Sequence, residues 1–99
     1  MKKIIAKIHE MHGQKILACT EEELIGKTFK EGEIEFTVSE RFYKGKKVSA
    51  KQLKQLLEEI NNINLVGEQP INIAMQLKLI DEKSVIRIQK IPHAQIFRI

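Results

Sequence analysis

Alternating apolar and polar residues predict several strands along the chain. Residues 3–9 and 14–19 each have an apolar pattern, and Gly13 lies in the turn between them. We therefore expect the two segments to pair as a hairpin. The clearest alternation runs through residues 33–38, where every second side chain is bulky and apolar. The side chains expected to face the core from this strand are Ile34, Phe36 and Val38.

Capping motifs predict where the helices begin. Thr20 is followed three residues later by Glu23, which is the pattern of a capping box and predicts a short helical turn. Ser49 and Gln52 form the same pattern at the start of a longer helix. Ser39 can cap a single turn over residues 40–43. These motifs predict three helix starts before residue 60.

Apolar residues at helical spacing predict two main helices. The first follows Ser49 and has a polar opposite face. Pro70 suits the first turn of a second helix, which we expect to reach about Leu79. The apolar positions of the first helix are Leu53, Leu56, Leu57 and Ile60.

The last third of the chain predicts two more strands. Residues 63–66 suit a short extended or turning link. Residues 84–89 predict a strand, and the segment after Pro92 predicts a closing strand. We expect Phe97 to be core, so that its truncation to alanine costs on the order of 3–5 kcal/mol. The pattern predicts one α+β domain over residues 1–99, with a mixed sheet of about five strands and two main helices packed on one face.

Composition narrows the class of protein. Seventeen basic and 13 acidic residues give a net charge of +4, which weakly favours acidic partners and also fits a lysine-rich background composition. The single cysteine cannot form an internal disulfide, which favours the cytoplasm. No apolar run approaches the roughly 20 residues of a membrane span, so we expect no membrane partner.

One cluster of basic residues, which we call the basic cluster, is a candidate RNA-binding surface. Phe42 and Tyr43 are interleaved with it, and an exposed aromatic ring can stack on a base. The alternative is a solvated loop whose two aromatic rings turn into the core. The basic cluster consists of Arg41, Lys44, Lys46, Lys47 and Lys51.

A second candidate site combines a turn with a strand. Asn64, Gly67 and Glu68 precede a helix whose N-terminus could attract an anion, although a plain helix cap explains the same residues. His93 and Gln95 share one face of a strand, where they could read a nucleobase or a ligand and where His93 could act as a base. The alternative for His93 is a ring bonded to nearby backbone.

Metal chemistry has little support in the sequence. His9, His12, Cys19 and His93 offer suitable atoms, but no two of them have the spacing of a known metal motif. Cys19 fits better as a small buried residue. We therefore predict no metal and no cofactor.

Four stretches of the chain resemble an uncharacterised archaeal family, domain of unknown function 424. The two specific stretches are residues 64–68, Asn-Leu-Val-Gly-Glu, and residues 91–97, Ile-Pro-His-Ala-Gln-Ile-Phe. Residues 24–29 and the Ser39-Glu40 and Phe42-Tyr43 pairs add to them. The resemblance implies an archaeal, cytoplasmic, single-domain protein and a connection with translation. It implies no activity, cofactor or catalytic residue.

Two hypotheses follow for the function. The first is a non-enzymatic module that binds RNA, the ribosome or another ribonucleoprotein through the basic cluster, with protein partners as a further possibility. The second is a small ligand-binding domain or enzyme with a pocket between the Asn64–Glu68 turn and the His93–Gln95 strand. No strong catalytic signature is present, which favours the first hypothesis. The oligomeric state does not follow from the sequence.

Overall fold

The computed structural model describes residues 2–99, which form a six-stranded mixed sheet, a separate two-stranded sheet and three helices. The strands are β1 (Ile4–Met11), β2 (Gln14–Glu21), β3 (Thr28–Glu31), β4 (Ile34–Thr37), β5 (Lys46–Val48), β6 (Asn62–Val66), β7 (Ile86–Ile88) and β8 (Ile91–Phe97). The helices are α1 (Glu40–Tyr43), α2 (Ala50–Glu59) and α3 (Glu68–Gln76). The predicted α+β class is confirmed, with six strands in the main sheet.

The main sheet has the strand order β5-β1-β2-β6-β8-β7. Strands β2 and β6 are parallel, and every other neighbouring pair is antiparallel. The hairpin predicted from the first two strands is confirmed, with Ile4 opposite Glu21 and Met11 opposite Gln14.

Helices α2 and α3 cover one face of the sheet, which we call the helix face. The capping box of α2 forms as predicted, since Ser49 and Gln52 each accept a hydrogen bond from the other's backbone N–H. The main core lies between these helices and the strands. Its fully buried members include Leu17, Cys19, Leu53, Leu57, Ile63, Leu65 and Ile71.

The opposite face, which we call the second face, is only partly covered. Helix α1 lies over β1 and β2, and the β3–β4 hairpin lies near β7. Ser39 caps α1 as predicted, because its hydroxyl accepts a hydrogen bond from the Phe42 N–H. The small core under these elements contains Ala18, Leu24, Val38, Tyr43 and Val66. Among residues 2–99, no helix or strand forms a layer over the rest of the second face.

The short helical turn predicted before Gly26 is present, but the capping box predicted at Thr20 does not form, because strand pairing continues through Thr20. Strand β2 extends to Glu21, which pairs with Ile4, and a 3-10 turn follows at Glu22–Leu24. The Thr20 side chain is buried in the sheet, where its hydroxyl has no partner within residues 2–99. Pairing of this end of β2 with β1 therefore prevails over the local capping pattern.

Residues 63–66 are not a simple link, since they belong to the central strand β6. This strand pairs with β2 on one side and β8 on the other. Its partners are remote in the sequence, and five residues carry too little periodicity to reveal them. The strand β3 was also not predicted.

Two side chains predicted to be in the core are exposed. Ile34 is 54% exposed because the β3–β4 hairpin extends beyond the main core, and Phe97 is 66% exposed because it points to the uncovered part of the second face. The second main helix was predicted more accurately. Pro70 lies in the first turn of α3, which ends at Gln76 and is closed by Lys78 in a left-handed conformation.

Candidate nucleic-acid interface

The five residues of the basic cluster lie at one edge of the sheet and on the two helices beside it. Lys46 and Lys47 belong to the edge strand β5, while Arg41 lies in α1 and Lys51 in α2. All five are exposed, and none forms an ion pair with a carboxylate within the described residues 2–99. Their positive charges are therefore available to a partner.

Lys47 is also close to a further lysine. Proximity to the Lys3 ammonium group lowers the pKa of Lys47, with partial compensation from Glu22. Two ammonium groups near each other repel, and an anion between them would relieve that repulsion. Lys3 thus adds positive charge beside Lys47.

The loop that carries the lysines is pressed against β1. Gly45 has no room for a side chain, because a Cβ atom there would collide with the backbone carbonyl of Ala6. Lys7 donates a hydrogen bond of 2.8 Å to the Arg41 carbonyl and fixes α1 over the same strand. The position of the basic cluster is therefore set by close backbone packing.

The two aromatic residues of this region have different roles. Tyr43 is buried, and burial raises its pKa to about 12. Phe42 is half-buried and stacks on His9, with a distance of 4.7 Å between ring centroids. The His9 Nε2 atom and the Phe42 carbonyl are 2.8 Å apart. The alternative prediction was that both aromatic rings turn into the core. It holds fully for Tyr43 and in part for Phe42.

The N-terminus of α3 already holds a negative charge from within the chain. The buried Glu21 carboxylate accepts a hydrogen bond of 3.3 Å from the Gln69 N–H. Gly67 lies directly against it, since a Cβ atom there would be 2.8 Å from Glu21 Oε1. A carboxylate at this position complements the helix dipole. An external anion would have to displace the Glu21 carboxylate from this position. No local pattern in the sequence pointed to this role of Glu21.

The remaining candidates of the second predicted site separate into two groups. Asn64 and Gln95 are directly opposite each other in β6 and β8, and His93 is next to them on the second face. Glu68 instead lies near Arg87, with 3.5 Å between its Oε1 and the Arg87 Nη1. The structure brings Asn64, His93 and Gln95 together and leaves Gly67 and Glu68 at the start of α3.

His93 is packed against the β3–β4 hairpin. Its ring lies 4.6 Å from the ring of Phe36 between centroids, and burial lowers the pKa of His93. A neutral imidazole can donate one hydrogen bond and accept another. This arrangement suits His93 as a packed side chain at the border of a surface better than as a general base that exchanges protons with solvent.

The residues considered for metal binding are not brought together. Within residues 2–99 no group of three or more His, Cys, Asp or Glu side chains is placed to hold a metal ion. Cys19 is buried, and burial together with the nearby Glu21 raises the pKa of its thiol to about 12. In the same part of the chain, no helix has the length and apolar character needed to cross a membrane.

The fold and this site define a small α+β protein with one sheet face covered by helices and the other partly open. The chain belongs to the family described as "Protein of unknown function (DUF424)", whose model matches residues 9–99. The resemblance found in the sequence is thereby confirmed.

A solved structure supports the same assignment. An uncharacterized conserved protein from the archaeon Methanopyrus kandleri is similar to this chain, with a TM-score of 0.77 and 25% sequence identity. The similarity covers 98% of this chain and 95% of the other. No curated protein matches this chain.

Proposed function

We propose that this protein is a non-enzymatic, translation-associated module that binds RNA or a ribonucleoprotein in the cytoplasm. The observation that carries the proposal is the basic cluster, whose five exposed cations have no carboxylate partner within residues 2–99. Lysine and arginine that contact phosphates release condensed counterions, which drives binding at moderate salt. The buried free thiol of Cys19 is consistent with a reducing compartment.

A ligand pocket between the Asn64–Glu68 turn and the His93–Gln95 strand has less support. Glu68 lies beside Arg87 next to α3, whereas His93 packs against Phe36 on the second face. The two side chains therefore do not converge on a common ligand. Without that convergence, an acid–base pair at this place has no geometric basis.

The test is cosedimentation with archaeal ribosomes and with bulk RNA across a salt series. We expect binding to weaken steeply as salt rises, because the contacts are electrostatic. The double variant Lys46→Glu, Lys47→Glu should bind much more weakly and should have a thermal midpoint close to that of the wild type. Loss of two phosphate contacts should also reduce the magnitude of the slope of log affinity against log salt by about 1.4–1.8.

A matched double variant controls for net charge. Lys78→Glu with Lys83→Glu changes the net charge by the same amount. Lys78 follows α3, and Lys83 lies in the turn Glu82–Ser84 that leads to β7, at the opposite edge of the sheet from β5. This control should bind nearly as well as the wild type. Equal binding by both folded double variants would exclude the basic cluster as the docking surface, and no binding by the wild type at low salt would refute the proposal.

A further inference from the structure

The less covered part of the second face is a surface of amides and apolar groups. Sheet register aligns His9, Ile16, Asn62 and Phe97 in one row across four strands. Lys7, Ala18, Asn64 and Gln95 form the next row. Helix α1 covers the β1 end of these rows, and Ala18 is buried beneath the covering elements. Beyond them Ile16, Asn62 and Asn64 are half-buried, and Gln95 and Phe97 are exposed. We call these five residues the platform: Ile16, Asn62, Asn64, Gln95 and Phe97.

The second face carries no carboxylate on its four central strands. Side chains alternate between the two faces, so the register assigns every residue to one of them. Glu10 and Glu21, the acidic residues of β1 and β2, are both on the helix face. The second-face residues of β1, β2, β6 and β8 are Ile5, Lys7, His9, Met11, Gln14, Ile16, Ala18, Thr20, Asn62, Asn64, Val66, Ile91, His93, Gln95 and Phe97.

Three carboxylates of the covering elements lie against other residues. Glu31 accepts a hydrogen bond from the Gln89 N–H, and Glu35 pairs with Lys30 at 3.9 Å. Glu40 lies beside Gly26, at the far end of α1 from His9. On the four central strands a polyanion therefore meets lysine, histidine and amide groups. At the Asn62–Phe97 end of the platform the exposed Glu59 lines the same cavity as these two residues and opposes its charge.

Two pairs of rings border the platform on opposite sides. The stacked His9–Phe42 pair lies at the β1 side, and the tilted His93–Phe36 pair lies at the β8 side. Adjacent strands are about 4.8 Å apart, so the distance from β1 to β8 is roughly 14 Å. A sheet surface of this size accommodates two or three stacked bases in known RNA-binding sheets.

Phe97 is the group on the platform best suited to stacking. Its ring is 66% exposed on the sheet surface, directly opposite Asn62 and beside Gln95. Neither Asn64 nor Gln95 makes a side-chain hydrogen bond to another residue in the range 2–99. Each free amide offers a donor and an acceptor at the edge of the ring, which matches the hydrogen-bonding edge of a base.

We propose that the platform binds unpaired bases of single-stranded RNA, with Phe97 as the stacking residue and Asn64 and Gln95 contacting base edges. This inference rests on the proposed function and adds the class of RNA to it. Arg41 lies beside Phe42 in α1 and Lys47 is opposite Ile5, so these two cations are on the second face with the platform, whereas Lys46 is opposite Ala6 on the helix face. A strand whose phosphates contact Arg41 and Lys47 can therefore extend its bases toward the platform. Duplex RNA does not offer free base faces and gains only the phosphate contacts.

The experiment measures fluorescence anisotropy with two labelled probes. The first is a mixed-sequence single-stranded RNA of about 12 nucleotides, within the site sizes of such platforms. The second is the duplex of the same RNA with its complement. We expect Phe97→Ala to bind the single strand roughly 5- to 150-fold more weakly, as for the loss of one base–aromatic stack. Its affinity for the duplex and its salt slope should match those of the wild type.

Two further variants control for shape and for loss of apolar surface. Phe97→Tyr keeps an aromatic face and should retain most of the affinity for the single strand. Ile34→Ala removes an apolar side chain of similar exposure from the β3–β4 hairpin and should bind both probes like the wild type. The thermal midpoint of each variant shows that it is folded.

The outcomes separate this inference from the proposed function. If Phe97→Ala binds the single strand like the wild type while Lys46→Glu, Lys47→Glu loses both probes, the platform is overturned and the basic cluster stands. If Phe97→Ala lowers the affinity for both probes equally, the stacking role is overturned as well. A wild type that binds neither probe refutes both proposals. A wild type that dimerises in sedimentation, and becomes monomeric with Phe97→Ala, would instead identify the platform as a contact between two copies.

Discussion

Ile96 and Phe97 are neighbours in β8 with opposite environments. Ile96 points to the helix face, where it is 6% exposed and packs in the main core. Phe97 points to the second face, where nothing within the described chain covers it. The side chain with more apolar area therefore contributes less to the stability of the fold, because burial and not size determines the hydrophobic gain.

We expect Ile96→Ala to lower the free energy of unfolding by about 2–5 kcal/mol, as for other large-to-small changes in a core. Phe97→Ala should change it by less than about 1 kcal/mol, because an exposed side chain loses little on truncation. Urea denaturation of the two variants measures both values. A loss of several kcal/mol for Phe97→Ala would show that its ring is covered in solution.

At the scale of an element, the start of α3 depends on a contact between remote segments. Gly67 has φ +112° and ψ 156°, a backbone conformation that essentially only glycine adopts. The Glu21 carboxylate fills the space where a side chain would stand. Strand β2, the turn after β6 and helix α3 are thus joined at one point, which explains why a buried carboxylate is retained there.

Gly67→Ala should destabilise the protein by about 1–3 kcal/mol through its backbone alone, with an added contribution from the contact with Glu21. In a Glu21→Ala background the added contribution should disappear, so the two changes should be non-additive. Gly32→Ala is the matched control, since Gly32 also has a positive φ but has no atom within 4 Å of a built Cβ. Strict additivity in urea denaturation would contradict the proposed contact.

At the scale of the whole molecule, the sheet has a stable centre and weaker margins. Strands β2, β6 and β8 each pair on both sides, and β1 pairs with β2 along its full length. Strand β5 pairs with only three residues of β1, and the β3–β4 hairpin forms a sheet of its own. Strand β5, which bears two of the five residues of the basic cluster, is therefore at the margin, where motion costs least.

Hydrogen exchange should reveal this division. We expect amides in the paired parts of β2, β6 and β8 to exchange only through global unfolding, and those of β3, β4 and β5 to exchange through local opening with a lower free energy. Exchange followed by NMR, with denaturant added in steps, distinguishes the two routes. Equal protection of the β3–β4 hairpin and of β6 would mean that the sheets unfold as one unit.

Some features of the candidate site were predictable from the sequence, and others were not. That His93, Gln95 and Phe97 share a face follows from the period of a strand, and the basic cluster is visible as a run in the chain. Asn64 joins them only because β6 pairs with β8. The role of Glu21 depends on a helix 48 residues away.

The sequence by itself determined the features that arise within a few residues: the first hairpin, the caps at Ser39 and Ser49, and the apolar stripe of α2. Only the tertiary structure decided that β6 is central, that Thr20 continues a strand and that Phe97 is exposed. The physical reason is the range of the interactions. Caps and turns satisfy their own backbone, whereas sheet order and the covering of a face depend on partners remote in the chain.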